Sequence, residues 1–363
     1  MSTTKKATAA ALAAGLGLVT LTACAESGTD DAHGGGAKTV TLVSHSSFAV
    51  SKEVWEEFEK ESGYRVKVLE DGDAGVAVNK AILTKGNPQG DVFFGIDNTL
   101  LSRGLDNDLF EAYEASGADS VLLAKRPLLD KQDRVTLVDT GEVCVNYDKK
   151  YFAEKGIDPP QTFDDLVEPA YEDLLVVENP ATSSPGLGFL MGTVAQQGGD
   201  RWPDYWKKLK DNGVKVVDGW DQAYNEEFSG SAGGKKAGGD RPLVVSYASS
   251  PPAEAIYSEP QPAEAPTGVS TGTCFQQAEY AGLLTNAENP EGGKALLDFL
   301  SERTFQEDMP LNMFVDPVHK DAKAPEDFAR YAVEVPSPHT MDPERIADNR
   351  DQWVKQWTSL VVK

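Results

Sequence analysis

A chain of 363 residues with 58 acidic against 34 basic side chains carries a formal net charge of −24. Such a surface repels nucleic-acid phosphates and anionic lipid headgroups, which argues against a nucleic-acid partner and, if anything, favours a cationic ligand, although solubility alone accounts for the charge equally well. The length exceeds what one hydrophobic core usually fills, so two domains or lobes are expected.

The first element in chain order is a leader. Lys5 and Lys6 precede an apolar run from about Ala9 to Leu21, and Leu21-Thr22-Ala23-Cys24 closes it. These are the parts of a secretory signal that ends in a lipoprotein box. The run falls short of the roughly 20 apolar residues of an anchoring span. Residues 1–23 are therefore expected to be a signal peptide and Cys24 the site of lipid attachment, which places the mature chain outside the cytoplasm, anchored to the cell membrane. Loss of Lys5 and Lys6 deepens the charge to −26. Residues 24–38, small, polar and Gly-rich, read as a flexible tether.

From Lys38 onward, short β-rich runs alternate with helical patterns, the signature of an α/β fold with largely parallel sheets. Thr39 to Val43, Tyr64 to Leu69 and Asp91 to Ile96 read as strands. Lys52 to Glu61 places Val54, Trp55 and Phe58 on one helical face and stops at Gly63, a good C-terminal cap. A second series has strands near Leu174 to Val177, Val214 to Val217 and Leu243 to Tyr247, with helices beginning near Pro185 and Pro203. Two series imply two α/β lobes. Two longer β patterns, Arg134 to Tyr147 and Gly272 to Gly282, connect them, and each carries one of the two cysteines that remain after Cys24. An even pair in an oxidising location points to a disulfide between Cys144 and Cys274, stapling the hinge; two buried free thiols are the alternative. The expected division is residues 39–143 with about 275–335 in lobe 1, residues 144–274 in lobe 2, and a C-terminal helix over 340–363. Ser229 to Pro242 and Ser258 to Thr267 read as surface loops.

No catalytic constellation stands out. None of His33, His45, His319 and His339 has metal-motif spacing, and the chain lacks a P-loop, a Gly-x-Ser-x-Gly elbow and a dinucleotide fingerprint. Neither an enzyme, a metal site nor a cofactor is expected. What remains is a set of residues at strand ends and helix starts, where open α/β sheets bind ligands. Glu70-Asp71-Gly72 puts a carboxylate after a strand, or forms an ordinary Asp-Gly turn. Ser183-Ser184-Pro185 and Ser249-Ser250-Pro251 each read as an N-cap followed by Pro, offering free N–H groups to a ligand or simply capping a helix. Trp220 lies between a strand and a helix, where its π-face suits a flat cation or packs against the neighbouring lobe.

In order and spacing, Ser47-Phe48, Leu69-Glu70-Asp71-Gly72, Gly95-Ile96-Asp97-Asn98, Thr182-Ser183-Ser184-Pro185-Gly186-Leu187-Gly188, Gly219-Trp220 with Ala223-Tyr224, Ser246-Tyr247 with Ser250-Pro251, and Pro317-Val318 resemble the periplasmic thiamine-binding proteins that serve ATP-binding-cassette (ABC) importers. The resemblance runs from about Val40 to Trp357. It implies a two-lobed periplasmic-binding-protein fold of the group II type with a β crossover hinge, acting as a monomer that closes on thiamine or its phosphates and delivers it to a membrane permease. Carried over by position, it implies ligand contacts from Asp71, Gly72, Ser183, Ser184, Trp220, the run Tyr247, Ala248, Ser249 and Ser250, and Phe314. His45 stands where the family often has a tyrosine, and Tyr257 lies one helical turn beyond Ala253, another family tyrosine position. A polyamine or ferric-ion receptor of the same fold is the alternative, and an extracellular thiamine-processing enzyme is the alternative from another class.

Overall fold

In the computed structural model, which describes residues 38–121 and 130–363, the first series of elements is β1 (Lys38–Ser44), α1 (Lys52–Ser62), β2 (Tyr64–Glu70), α2 (Ala74–Leu83), β3 (Val92–Asp97) and α3 (Leu101–Asp106). The signal peptide, Cys24 and the tether up to residue 37 lie outside the described residues. The three strands pair in parallel in the order β2-β1-β3. Helix α1 buries Val54 and Phe58, each such side chain contributing about 1.5–3 kcal/mol, and Trp55 packs edge-on to Phe58 at 6.5 Å. The helix stops because Gly63 takes φ +73° and donates its N–H to the Glu59 carbonyl at 2.9 Å.

The chain then continues through β4 (Thr136–Asp148), α4 (Lys149–Lys155), β5 (Leu175–Glu178), α5 (Ser184–Gln197), α6 (Trp202–Asp211), β6 (Lys215–Val217), α7 (Trp220–Gln222), α8 (Ala232–Ala237), β7 (Leu243–Tyr247) and α9 (Ser250–Ile256). It closes with β8 (Thr267–Leu283), α10 (Pro290–Leu300), α11 (Arg303–Asn312), β9 (Asp316–Pro317), α12 (Glu326–Tyr331) and α13 (Pro343–Val361). None of the described helices is long and apolar enough to cross a membrane.

The two series do not form separate sheets. They join in one nine-stranded mixed sheet of order β2-β1-β3-β8-β4-β7-β5-β6, with β9 added on β4. The joint is made by β4 and β8, which at 13 and 17 residues are long enough to serve both lobes. Residues Glu279 to Leu283 of β8 pair with β3, whereas Val143 to Tyr147 of β4 pair with β7. Between these stretches the β4–β8 register slips, from Val143 opposite Phe275 to Val145 opposite Ser270. The slip coincides with the disulfide Cys144–Cys274, whose Cα atoms are 4.2 Å apart. Helices cover both faces of the sheet, and α13 docks on α6 with Trp357 edge-on to Trp206 at 5.3 Å.

One expected loop is a helix. Within Ser229 to Pro242, Ser231 accepts from the Gly234 N–H at 2.8 Å and caps α8, which ends at Gly238 with φ +85°. The expected loop at Ser258 to Thr267 contains no helix and leads directly into β8.

Candidate functional site

The carboxyl ends of β1, β2 and β3 face those of β5 and β7 across a cleft, which encloses a cavity of about 360 Å³. Of the ligand contacts expected from sequence, His45, Ser184, Trp220, Tyr247, Ser250 and Phe314 line it, as does Tyr257. The others sit behind that lining. Asp71 points away and forms an ion pair with Lys80. Gly72 has φ +83°, a left-handed conformation open to glycine, and its carbonyl accepts from the Ser46 N–H at 2.8 Å, so it shapes the turn. Ser183, Ala248 and Ser249 are buried.

Asp73, two residues beyond Asp71, supplies a carboxylate at the cavity, which Asp221, Glu254 and Glu279 also border. It caps α2, accepting from the Ala74 N–H at 2.6 Å, and its other oxygen accepts from the Trp220 N–H at 2.8 Å. The second bond spans the cleft. Burial pushes its carboxyl up from the ordinary range, against the opposing effect of these bonds. A second bond across the cleft joins Ser184 at the start of α5 to Asp97 at the end of β3, and Gln277 donates to the same serine hydroxyl at 3.1 Å. Both predicted helix starts are therefore real, but their hydroxyls are engaged with protein groups: Ser250 Oγ lies 2.8 Å from Ser246 Oγ.

That serine pair fixes Trp220. Its indole N–H donates to Ser246 Oγ at 2.9 Å, and the ring stacks on Tyr224 at 5.0 Å with planes 12° apart. Trp220 thus both lines the cavity and packs on its own lobe. At the mouth, Phe314 holds φ +56°, an uncommon conformation for a bulky residue, and meets Tyr257 edge-on at 6.0 Å. Tyr257 is 66 % exposed and donates its hydroxyl to the Leu311 carbonyl at 2.8 Å, so α9 touches the end of α11 across the mouth.

The floor is acidic. Asp97 of β3, Glu279 of β8 and Asp139 of β4 stand directly opposite one another in register, a row of carboxyls across three neighbouring strands. Like charges so placed repel, and Glu279 is pushed well above the ordinary carboxyl range by burial first and then by Asp139 and Asp97. His45, just past β1, lies with Nε2 3.9 Å from Glu279, and burial lowers its pKa to about 4, so it is neutral at pH 7. Among the described residues, no lysine or arginine lines the cavity. Sequence reasoning missed Asp73 and Glu279. The first was legible as an N-cap before Ala74; the second depends on strand register alone.

The family of bacterial extracellular solute-binding proteins matches residues 44–307. The chain belongs to that family. Among its relatives, the thiamine-binding periplasmic protein of Salmonella typhimurium is 29 % identical over 329 residues, covering 89 % of this chain and 93 % of that protein. The corresponding protein of Escherichia coli gives 29 % over 329 residues with the same coverage, 89 % and 93 %. A solved periplasmic thiamin binding protein superimposes with a TM-score of 0.76 at 26 % identity, covering 90 % of this chain and 96 % of that structure. The fold is accordingly the two-lobed one of solute-binding proteins, whose cleft takes up a ligand between lobes, and the family binds solutes rather than transforming them.

Proposed function

We propose that this solute-binding protein is an extracytoplasmic receptor, lipid-anchored through Cys24, that captures thiamine and delivers it to the permease of an ABC importer. The observation that carries the reading is the composition of the cavity: aromatic faces from Trp220, Tyr247 and Phe314, carboxyls from Asp73, Asp221, Glu254 and Glu279, and no lysine or arginine. Thiamine presents a permanently cationic flat ring and an aminopyrimidine, which need π-faces and hydrogen-bond acceptors. Relatives over nine-tenths of their length carry thiamine-binding names, which supports the same choice. The bonds from Asp73 to Trp220 and from Asp97 to Ser184 close the two lobes on each other, and a ligand touching both lobes stabilises that arrangement. The protein acts as a monomer, with the lobe division at the Cys144–Cys274 hinge.

The test is calorimetric titration of the form starting at Ala25, unfolded and refolded with its disulfide intact to strip carried-over ligand. Thiamine is expected to bind one-to-one below micromolar concentration, at least a hundredfold more tightly than spermidine. Thiamine pyrophosphate is expected to bind at least about tenfold more weakly than thiamine, because the acidic lining outweighs the pull of two helix starts, each worth about 0.3–1 kcal/mol. No heat and no competition at millimolar thiamine would rule the ligand out. Spermidine binding would move the assignment to a polyamine. Binding of ferric ion in place of thiamine would move it to a ferric-ion receptor. The disulfide removes both of its cysteines as nucleophiles, which argues against a thiamine-processing enzyme.

A further inference from the structure

We propose that Glu279 and His45 form the specificity floor of the cavity, recognising a heteroaromatic edge in which an amino donor adjoins a ring-nitrogen acceptor. Glu279 accepts from the amino group, and Nε2 of His45 donates to the ring nitrogen. Thiamine carries this edge on its aminopyrimidine, so the inference rests on the reading above and adds how the ligand is told from analogues.

His45 is held as a positioned ring. It is 9 % exposed, packs on Phe94 with ring centroids 5.7 Å apart, and lies over Gly95. Gly95 has φ +97°, and a Cβ built there would come within 2.4 Å of Cδ2 of the imidazole, so the backbone has been cleared to seat the ring. Nevertheless Nε2 has no hydrogen-bond partner. The 3.9 Å to Glu279 is too long for one, and buried ring nitrogens are seldom left unpaired. A satisfied core histidine would look different. Both His45 and Glu279 border the cavity, so the free nitrogen belongs to whatever fills it.

Glu279 complements it. Its carboxyl hydrogen bonds Asp139, its partner in register, and the pair lies in a row with Asp97. Three acidic groups this close share protons, and a Glu279 proton directed at Asp139 leaves the remaining Glu279 oxygen as an acceptor. The floor then offers one acceptor and one neutral donor side by side. An edge with a carbonyl next to a ring N–H presents the reverse pattern: it mismatches at Glu279, and His45 meets it only by moving its proton to the other ring nitrogen. A site built for a particular donor and acceptor discriminates strongly against a ligand that leaves its buried groups unpaired.

Calorimetry with the refolded form starting at Ala25 tests this with thiamine, with oxythiamine, whose pyrimidine bears a carbonyl in place of the amino group, and with pyrithiamine, which keeps the pyrimidine and replaces the thiazolium. The wild type is expected to prefer thiamine to oxythiamine by at least about thirtyfold. In Glu279→Gln, whose amide can also donate to a carbonyl, the preference is expected to fall below about threefold while the ratio of thiamine to pyrithiamine stays unchanged. Equal wild-type affinity for thiamine and oxythiamine overturns the inference whether or not the variant folds, as does an unchanged preference in a folded variant. Absence of binding by all three compounds overturns the thiamine reading itself, and is distinguished by that silence.

Discussion

Replacing Gly95 by alanine separates two costs that the structure combines at one residue. The backbone at Gly95 has φ +97°, where a side chain costs about 1–2 kcal/mol. The added Cβ also meets the His45 ring at 2.4 Å from Cδ2 and 3.1 Å from Nε2. The ring cannot retreat freely, because it is buried against Phe94, and overpacking of this kind costs about 1–3 kcal/mol. Gly95→Ala is thus expected to lower stability by about 2–5 kcal/mol. In a His45→Ala background the steric part disappears and the backbone part stays, leaving about 1–2 kcal/mol. Urea unfolding of the four proteins of this double-mutant cycle, with the disulfide intact, reads the coupling directly; about 1–3 kcal/mol is expected. A coupling near zero would refute the placement of His45 over Gly95, and with it the seat from which the imidazole reaches the cavity.

Asp73→Asn is expected to weaken thiamine binding by about tenfold or more, whereas Asp71→Asn, whose carboxylate faces Lys80, should stay within about threefold; equal losses in calorimetric titration would return the site to Asp71. Replacing both Cys144 and Cys274 by serine removes a cross-link between residues 130 apart in sequence and should destabilise the fold by about 2–5 kcal/mol in urea, with no loss expected if the bridge does not form. His45 has its folded pKa lowered to about 4 by burial, so the unfolded chain takes up its proton first as pH falls. Stability from this residue is complete above about pH 6.5 and is lost towards pH 4, by about 3 kcal/mol in all. Relative to His45→Gln, the wild type should therefore lose stability between pH 7 and pH 4.5, and parallel pH profiles of the urea midpoints would show that the imidazole is not buried neutral.

Local features of this chain were readable because they depend on neighbours a few residues apart. The strand of β-branched residues before His45, the apolar face of Val54, Trp55 and Phe58, the stop at Gly63, and the Pro-led helix starts at Ser184 and Ser250 all follow from propensity, periodicity and capping, and each stands within a residue or two of its expected place. The capped helix hidden in Ser229 to Pro242 was equally local, and its glycines obscured it. Sequence order also carried the resemblance that brought Trp220, Tyr247 and Phe314 into one cavity. Tertiary pairing alone decided which carboxyl faces it. Asp71 and Asp73 are two residues apart, and the bend at Gly72 turns one to Lys80 and the other to Trp220, 147 positions further on. The row of Asp97, Glu279 and Asp139 exists only through the registers of β3, β8 and β4. A slip of one residue in any of them would send a carboxyl to the opposite face of the sheet, and no local signal specifies a pairing made over more than a hundred residues.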